Sequence, residues 1–138
     1  MVDASVVVKW FVEEEGTDKA LEIRDDFVAG DVALHAPSHL PFEVLNALRF
    51  STLCTEERCV QALLALQAYG FTYHPLAGEM GRRALHLAFR GDLSVYDAAY
   101  LALARELATK VVTADKGWVA AGESETLLLA DYASLGAL

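Results

Sequence analysis

The chain is expected to adopt an α/β fold with a mainly parallel sheet covered by helices, and two observations predict it. Short β-rich runs alternate with longer segments of helical periodicity along the sequence. Four acids, Asp3, Glu43, Asp97 and Asp115, each fall where an apolar strand-like run ends or on a helix that follows one. In an open parallel sheet the carboxyl ends of the strands converge on one crevice, so carboxylates far apart in sequence meet there.

The elements follow in order. Met1-Val2-Asp3 is a very short first strand, and Val7, Val8, Phe11 and Val12 then recur at helical spacing within Ala4 to Val12. Thr17 to Ala29 reads as a second helix, with Thr17 as candidate N-cap, Leu21, Ile23, Phe27 and Val28 as apolar positions and Gly30 as its stop. Val32 to His35 is a strand, and Ala36-Pro37-Ser38 turns into a helix carrying Pro41, Glu43, Leu45, Asn46 and Leu48. Thr55 caps the next helix, whose first turn is acidic and whose end lies near Gly70. A strand at Phe71 to His74, a helix over Leu76 to Arg90 broken by Gly91-Asp92, and an Ala- and Leu-rich helix over Ser94 to Leu107 come next. Strands at Lys110 to Thr113 and Thr126 to Leu129 complete the set, and the segment from Asp131 onward caps the fold.

A length of 138 residues suits one domain, residues 1–138, able to bury one sizeable core. With 54% hydrophobic and 22% charged residues, the composition is that of a folded protein rather than a disordered one. The longest charge-free apolar stretch is far too short for a membrane helix, and no basic segment followed by a long apolar one opens the chain, so a cytoplasmic protein is expected. Cys54 and Cys59 lack a CxxC spacing and are expected to be reduced thiols. His35, His39, His74 and His86 form no HExxH or other ligand spacing and are expected at the surface. A net charge of −9 argues against nucleic-acid binding through a broad basic face. It leaves a nuclease open, because bound cations reverse the local potential where phosphate approaches.

Each acid also has a structural role open to it. Asp3 can cap the helix that starts at Ala4, and Asp97 lies three residues after Ser94, the spacing of a capping box. Asp115 can be a turn residue after a strand, and Glu43 can face water. Capping alone does not require all four at strand ends. Clustered carboxylates repel unless a divalent cation joins them, and phosphodiester hydrolysis on metal needs several oxygen ligands held on different rigid elements. A magnesium- or manganese-type site is therefore expected. Asn46, one helical turn beyond Glu43, and Thr113, two residues before Asp115, are placed to orient a carboxylate or a water, or equally to be a surface amide and a strand former. Lys9, Arg49, Arg90 and Lys116 are candidate phosphate contacts or plain surface charges.

The strings VDASVVVKWF, PFEVLNALR, LSVYDAAYLALA and VVTADKG, in this order and spacing, resemble the PIN domain, and within it the VapC-type toxin ribonucleases of bacterial and archaeal toxin–antitoxin pairs. The resemblance spans nearly the whole chain. It implies a three-layer α/β/α sandwich, an acidic pocket dependent on Mg²⁺ or Mn²⁺, endoribonuclease activity on single-stranded or looped RNA, and neutralisation by a VapB-like antitoxin. Asp3 matches the family's first metal-binding aspartate, Glu43 its helix glutamate, Asp97 the acid of the YDA segment and Asp115 the acid after the TxD strand. Ser5, Asn46 and Thr113 match its polar supporting positions. One departure stands out: members carry several apolar residues before the first aspartate, whereas this chain offers Met1-Val2.

Two other readings compete. A catalytically silent PIN scaffold would bind RNA or a protein partner without cutting. A receiver or dehalogenase-like phosphotransfer domain would need an acidic pair beside Asp3 or an aspartate two residues after it, where Ser5 stands. The apolar helices also point to a homodimer.

Overall fold

In the computed structural model, which describes residues 1–120 and 124–134, the strands are short and every strand pairing is parallel. The chain begins by lying alongside a later strand: Asp3 N–H donates to the Val112 carbonyl at 3.2 Å and Val112 N–H to that of Met1 at 3.0 Å, which makes Val2 a single bridge partner. Two apolar residues suffice for this bridge but not for a full strand. Helix α1 (Ala4–Val7) follows at once and tightens into a 3₁₀ turn, Val8–Trp10, in place of the continuous helix expected to Val12. The run of β-branched valines explains the short α-helical stretch.

Helix α2 (Thr17–Ala29) is preceded by Gly16, so Thr17 is its first residue rather than its cap. It ends at Gly30, whose φ of +85° is the left-handed conformation that glycine adopts without strain. Strand β1 (His35–Pro37) starts where the predicted strand ends, and α3 (Leu40–Phe50) follows with Pro41 in its first turn. Helix α4 (Glu56–Tyr69) has the expected Thr55 cap, which accepts from Arg58 N–H, and stops at Gly70. Cys54 and Cys59 flank this cap with their sulfurs 3.3 Å apart, and both are free thiols.

Strand β2 (Thr72–His74) pairs with β1, and strand β3 (Val111–Thr113) with β4 (Thr126–Leu128). Between the pairs run α5 (Gly78–Gly91) and α6 (Val95–Glu106), which pack closely on each other. The chain turns between them through Asp92 at φ +52°. A short helix, α7 (Lys116–Ala120), follows β3 and was not expected from the sequence. Helices on parallel strands are the α/β arrangement anticipated, with the ladders divided into two pairs. Pro37 lacks an N–H to donate, and three-residue strands offer few bonds to join the pairs.

Helix α6 sits deepest, buried from Ala98 through Ala104, and each fully buried leucine such as Leu101 or Leu103 contributes about 1.5–3 kcal/mol. The main core gathers Val2, Val6, Val7, Ile23, Val44, Leu48, Tyr100 and Val111. A smaller cluster of Met80, Ala84, Ala99 and Ala102 seals α5 to α6. A closing 3₁₀ turn, Leu129–Asp131, leads to Tyr132 and Ser134, whose hydroxyls each donate at 2.7 Å to the buried Asp26 of α2. The expected capping by this segment is thus seen up to Ser134, and its remainder lies outside the described residues.

Candidate active site

The bridge at Val2 delivers Asp3 to the end of β3. Its Oδ1 accepts from Ser5 Oγ at 2.6 Å and from Val6 N–H at 3.2 Å, the N-cap role the sequence allowed. Its Oδ2 accepts from Thr113 Oγ1 at 2.6 Å. Each hydroxyl is committed twice: Ser5 Oγ also accepts from Ala114 N–H at 2.9 Å, and Thr113 Oγ1 from Asp115 N–H at 3.0 Å. The 3.5 Å approach of the two hydroxyls is therefore a contact rather than a hydrogen bond. Capping and site roles coexist at Asp3, because these three donors leave one of its roughly four acceptor positions open.

Burial pushes the Asp3 carboxyl above its ordinary range, the Glu43 carboxylate adds to the rise, and the hydrogen bonds oppose it. Glu43, on α3, is pushed up by burial and by the charge of Asp97, against the stabilising bond from Tyr100 Oη to its Oε2 at 2.7 Å. Tyr100 is held firmly protonated, by burial first and then by Glu43, Asp3 and Asp97. Three of the four expected acids thus bear on a single buried phenol. Asp97 is held at the start of α6 by Ser94, whose Oγ donates to its Oδ2 at 2.7 Å and accepts from its N–H at 3.0 Å.

The other predicted positions fare differently. Asp115 is exposed, and its Oδ1 accepts from Gly117 N–H at 2.7 Å, so it opens α7 as a turn residue does. Asn46 is exposed on α3, whereas Ser5 and Thr113 hold Asp3 as supporting groups should. Sequence reasoning missed Tyr100 and put His39 at the surface. His39 is instead half-buried, edge-on to Tyr96 and Tyr100 at 5.4 and 5.2 Å between ring centres. Its Nε2, 3.5 Å from Glu43 Oε2, is buried without a hydrogen-bond partner. Burial lowers its pKa, with the Tyr96 backbone and Asp97 opposing. The available signals were helical spacings, His39 four residues before Glu43 and Tyr100 three after Asp97. His35 and His74, expected at the surface, approach across β1 and β2 with ring nitrogens 3.0 Å apart.

Among the described residues, Asp3, Glu43, Asp97 and Asp115 form no ion pair with lysine or arginine. Asp3 and Glu43, raised by burial first and then by a neighbouring carboxylate, and supplied with neutral hydroxyl and amide donors, fit a hard divalent cation. No group of three His, Cys, Asp or Glu side chains among the described residues is drawn together tightly enough to be a finished metal cage. Lys9, Lys19 and Lys116 line, together with Glu15, a cleft of about 210 Å³ that reaches Ala114, whose N–H bonds Ser5. Lys9 is paired there with Glu14 at 2.8 Å.

Residues 1–123 match the PIN domain model, and the chain belongs to the PIN domain family, an α/β fold with parallel strands. It is 31% identical to the ribonuclease VapC3 of Pyrobaculum aerophilum over 121 residues, covering 84% of this chain and 88% of that protein. No helix among the described residues is long and apolar enough to cross a membrane.

Proposed function

We propose that this protein is a Mg²⁺- or Mn²⁺-dependent endoribonuclease, the toxin of a VapBC-type toxin–antitoxin pair, acting in the cytoplasm. The observation that carries the reading is the gathering of Asp3, Glu43 and Asp97 around Tyr100, whose hydroxyl bonds Glu43, with no lysine or arginine among the described residues paired to them. The likeness to a ribonuclease supports it.

Asp3, Glu43 and Asp97 would hold the ion, with Asp115 reaching it directly or through water. A bound divalent ion supplies positive charge that stabilises the scissile phosphate and lowers the pKa of a nearby water. The chain does the rest. Ser5 and Thr113 fix the Asp3 carboxylate, and Tyr100 fixes Glu43 by donating to Oε2, leaving Oε1 to accept a proton from attacking water. In-line attack leaves 5′-phosphate and 3′-hydroxyl ends. Lys116, next to Asp115 in sequence, offers the RNA backbone a positive charge, while Lys9 and Lys19 in the same cleft are paired with Glu14 and Glu22.

A VapB-like antitoxin is the proposed protein partner. Self-association into a homodimer is supported by exposed Phe42, Phe50 and Phe89, at 78%, 76% and 89%. One observation favours the silent-scaffold alternative, the absence of a tight three-ligand group among the described residues. Incubating purified protein with labelled single-stranded RNA, in Mn²⁺, Mg²⁺ or chelator, decides between them. Metal-dependent cutting is expected; RNA binding with no cutting in any metal selects the scaffold.

A further inference from the structure

A cavity of about 530 Å³ opens beside the acids, lined by Ser38, His39, Leu76, Val95, Tyr96 and Ala99, with Ser94 at the same wall. We propose that it takes one unstacked nucleobase of the RNA next to the scissile phosphate. This rests on the nuclease reading above and adds where the enzyme reads its substrate.

The cavity and the acid cluster share their walls. Ser94 lines the cavity while bonding Asp97, Tyr96 precedes Asp97 on α6, and the His39 ring lies edge-on to both Tyr96 and Tyr100 with its Nε2 3.5 Å from Glu43 Oε2. A phosphodiester seated at Asp97 and Glu43 therefore has its own base within reach of this space. The lining suits a base rather than a phosphate: it has no lysine, arginine or carboxylate. Tyr96, 62% exposed, offers a ring to stack on, and Leu76 and Val95, at 52% and 37%, offer apolar surface left open to solvent. Ser38 adds an exposed hydroxyl able to donate to or accept from a base edge. Single-stranded RNA is recognised in just these terms, by stacking on aromatic side chains and hydrogen bonding to splayed bases. The size lies within the range of small-ligand pockets.

The test uses full-length Glu43→Gln protein in Mn²⁺ and single-stranded RNAs carrying fluorescent aminopurine at each position in turn. One position is expected to be quenched on binding. Adding Tyr96→Ala should remove that quenching and weaken RNA binding about 5- to 100-fold, the worth of one stacked base. Adding Tyr96→Phe, which keeps the ring, should bind like the parent. In the otherwise unmodified enzyme, Tyr96→Ala should raise KM and flatten the base preference at the quenched position. Circular dichroism confirms that each variant is folded, and Leu76→Ser offers a second, exposed probe of the same wall. Quenching and affinity equal to the parent's in both Tyr96→Ala and Leu76→Ser would overturn the proposal. If the unmodified protein cuts no RNA yet Tyr96-dependent quenching is seen, the nuclease reading falls and the base site stands.

Discussion

The Tyr100 hydroxyl donates to Glu43 Oε2 at 2.7 Å across 57 positions of sequence, from the most deeply buried helix to the edge of the acidic pocket. This bond compensates part of the cost of keeping Glu43 half-buried among other carboxylates. Tyr100→Phe should keep the packing, because only a hydroxyl is lost. It should weaken Mn²⁺ binding about 10- to 100-fold, as loss of a group that orients a ligand does. Isothermal titration of the variant against the parent checks this, and unchanged affinity would remove Tyr100 from the site.

Thr113 is fully buried, and its hydroxyl joins Asp3 Oδ2 to Asp115 N–H. Thr113→Val keeps the shape and strands both partners, which should cost about 1–3 kcal/mol of stability. Urea unfolding measures it, and a variant as stable as the parent would mean that water replaces the hydroxyl.

The site acids should separate into two grades. Asp97→Asn is expected to abolish cleavage in a folded protein. Asp115→Asn, at an exposed carboxylate already engaged by Gly117 N–H, should reduce it by only about 10- to 100-fold. Equal, complete loss in both would make Asp115 a direct ligand.

Acid should stabilise the metal-free protein where Asp3 and Glu43 titrate. Both carboxyls hold their protons more tightly folded than unfolded, above ordinary values of 3.8 and 4.5. Their contribution is complete below those values and is lost as pH rises through the raised ones. In chelator, Glu43→Gln should therefore melt above the parent near neutral pH, by about a kcal/mol or less given the partial exposure of Glu43. The gap should close as pH falls toward the ordinary range. A variant melting at or below the parent throughout would contradict the cost assigned to this charge.

Stops and caps were legible before the structure because each is a local matter. Gly30 and Gly70 end helices, and Thr55 and Ser94 start them, through their own backbone or hydroxyl. Strand β1 was misplaced because Val32 looks more strand-like than Pro37, yet parallel pairing with β2 decides the register. At the site, Asp3, Glu43 and Asp97 were legible as acids at strand ends and on following helices. Tyr100 and His39 were not, since a tyrosine in an Ala- and Leu-rich helix reads as core and a lone histidine after a turn reads as surface. Their roles exist only once the fold brings His39 and Glu43 to Tyr96 and Tyr100 of α6. Asn46 was credited for helical proximity to Glu43, but its side of α3 faces outward.

The pairing of Val2 with Val112 has a consequence for synthesis. Asp3 is made well before its backbone partner Val112, and the hydroxyl that steadies its Oδ2 follows 110 positions later, at Thr113. A nascent chain stopped before β3 carries Asp3, Glu43 and Asp97 without the strand that fixes Asp3. The Asp3 side of the pocket is therefore completed only when β3 closes onto Val2.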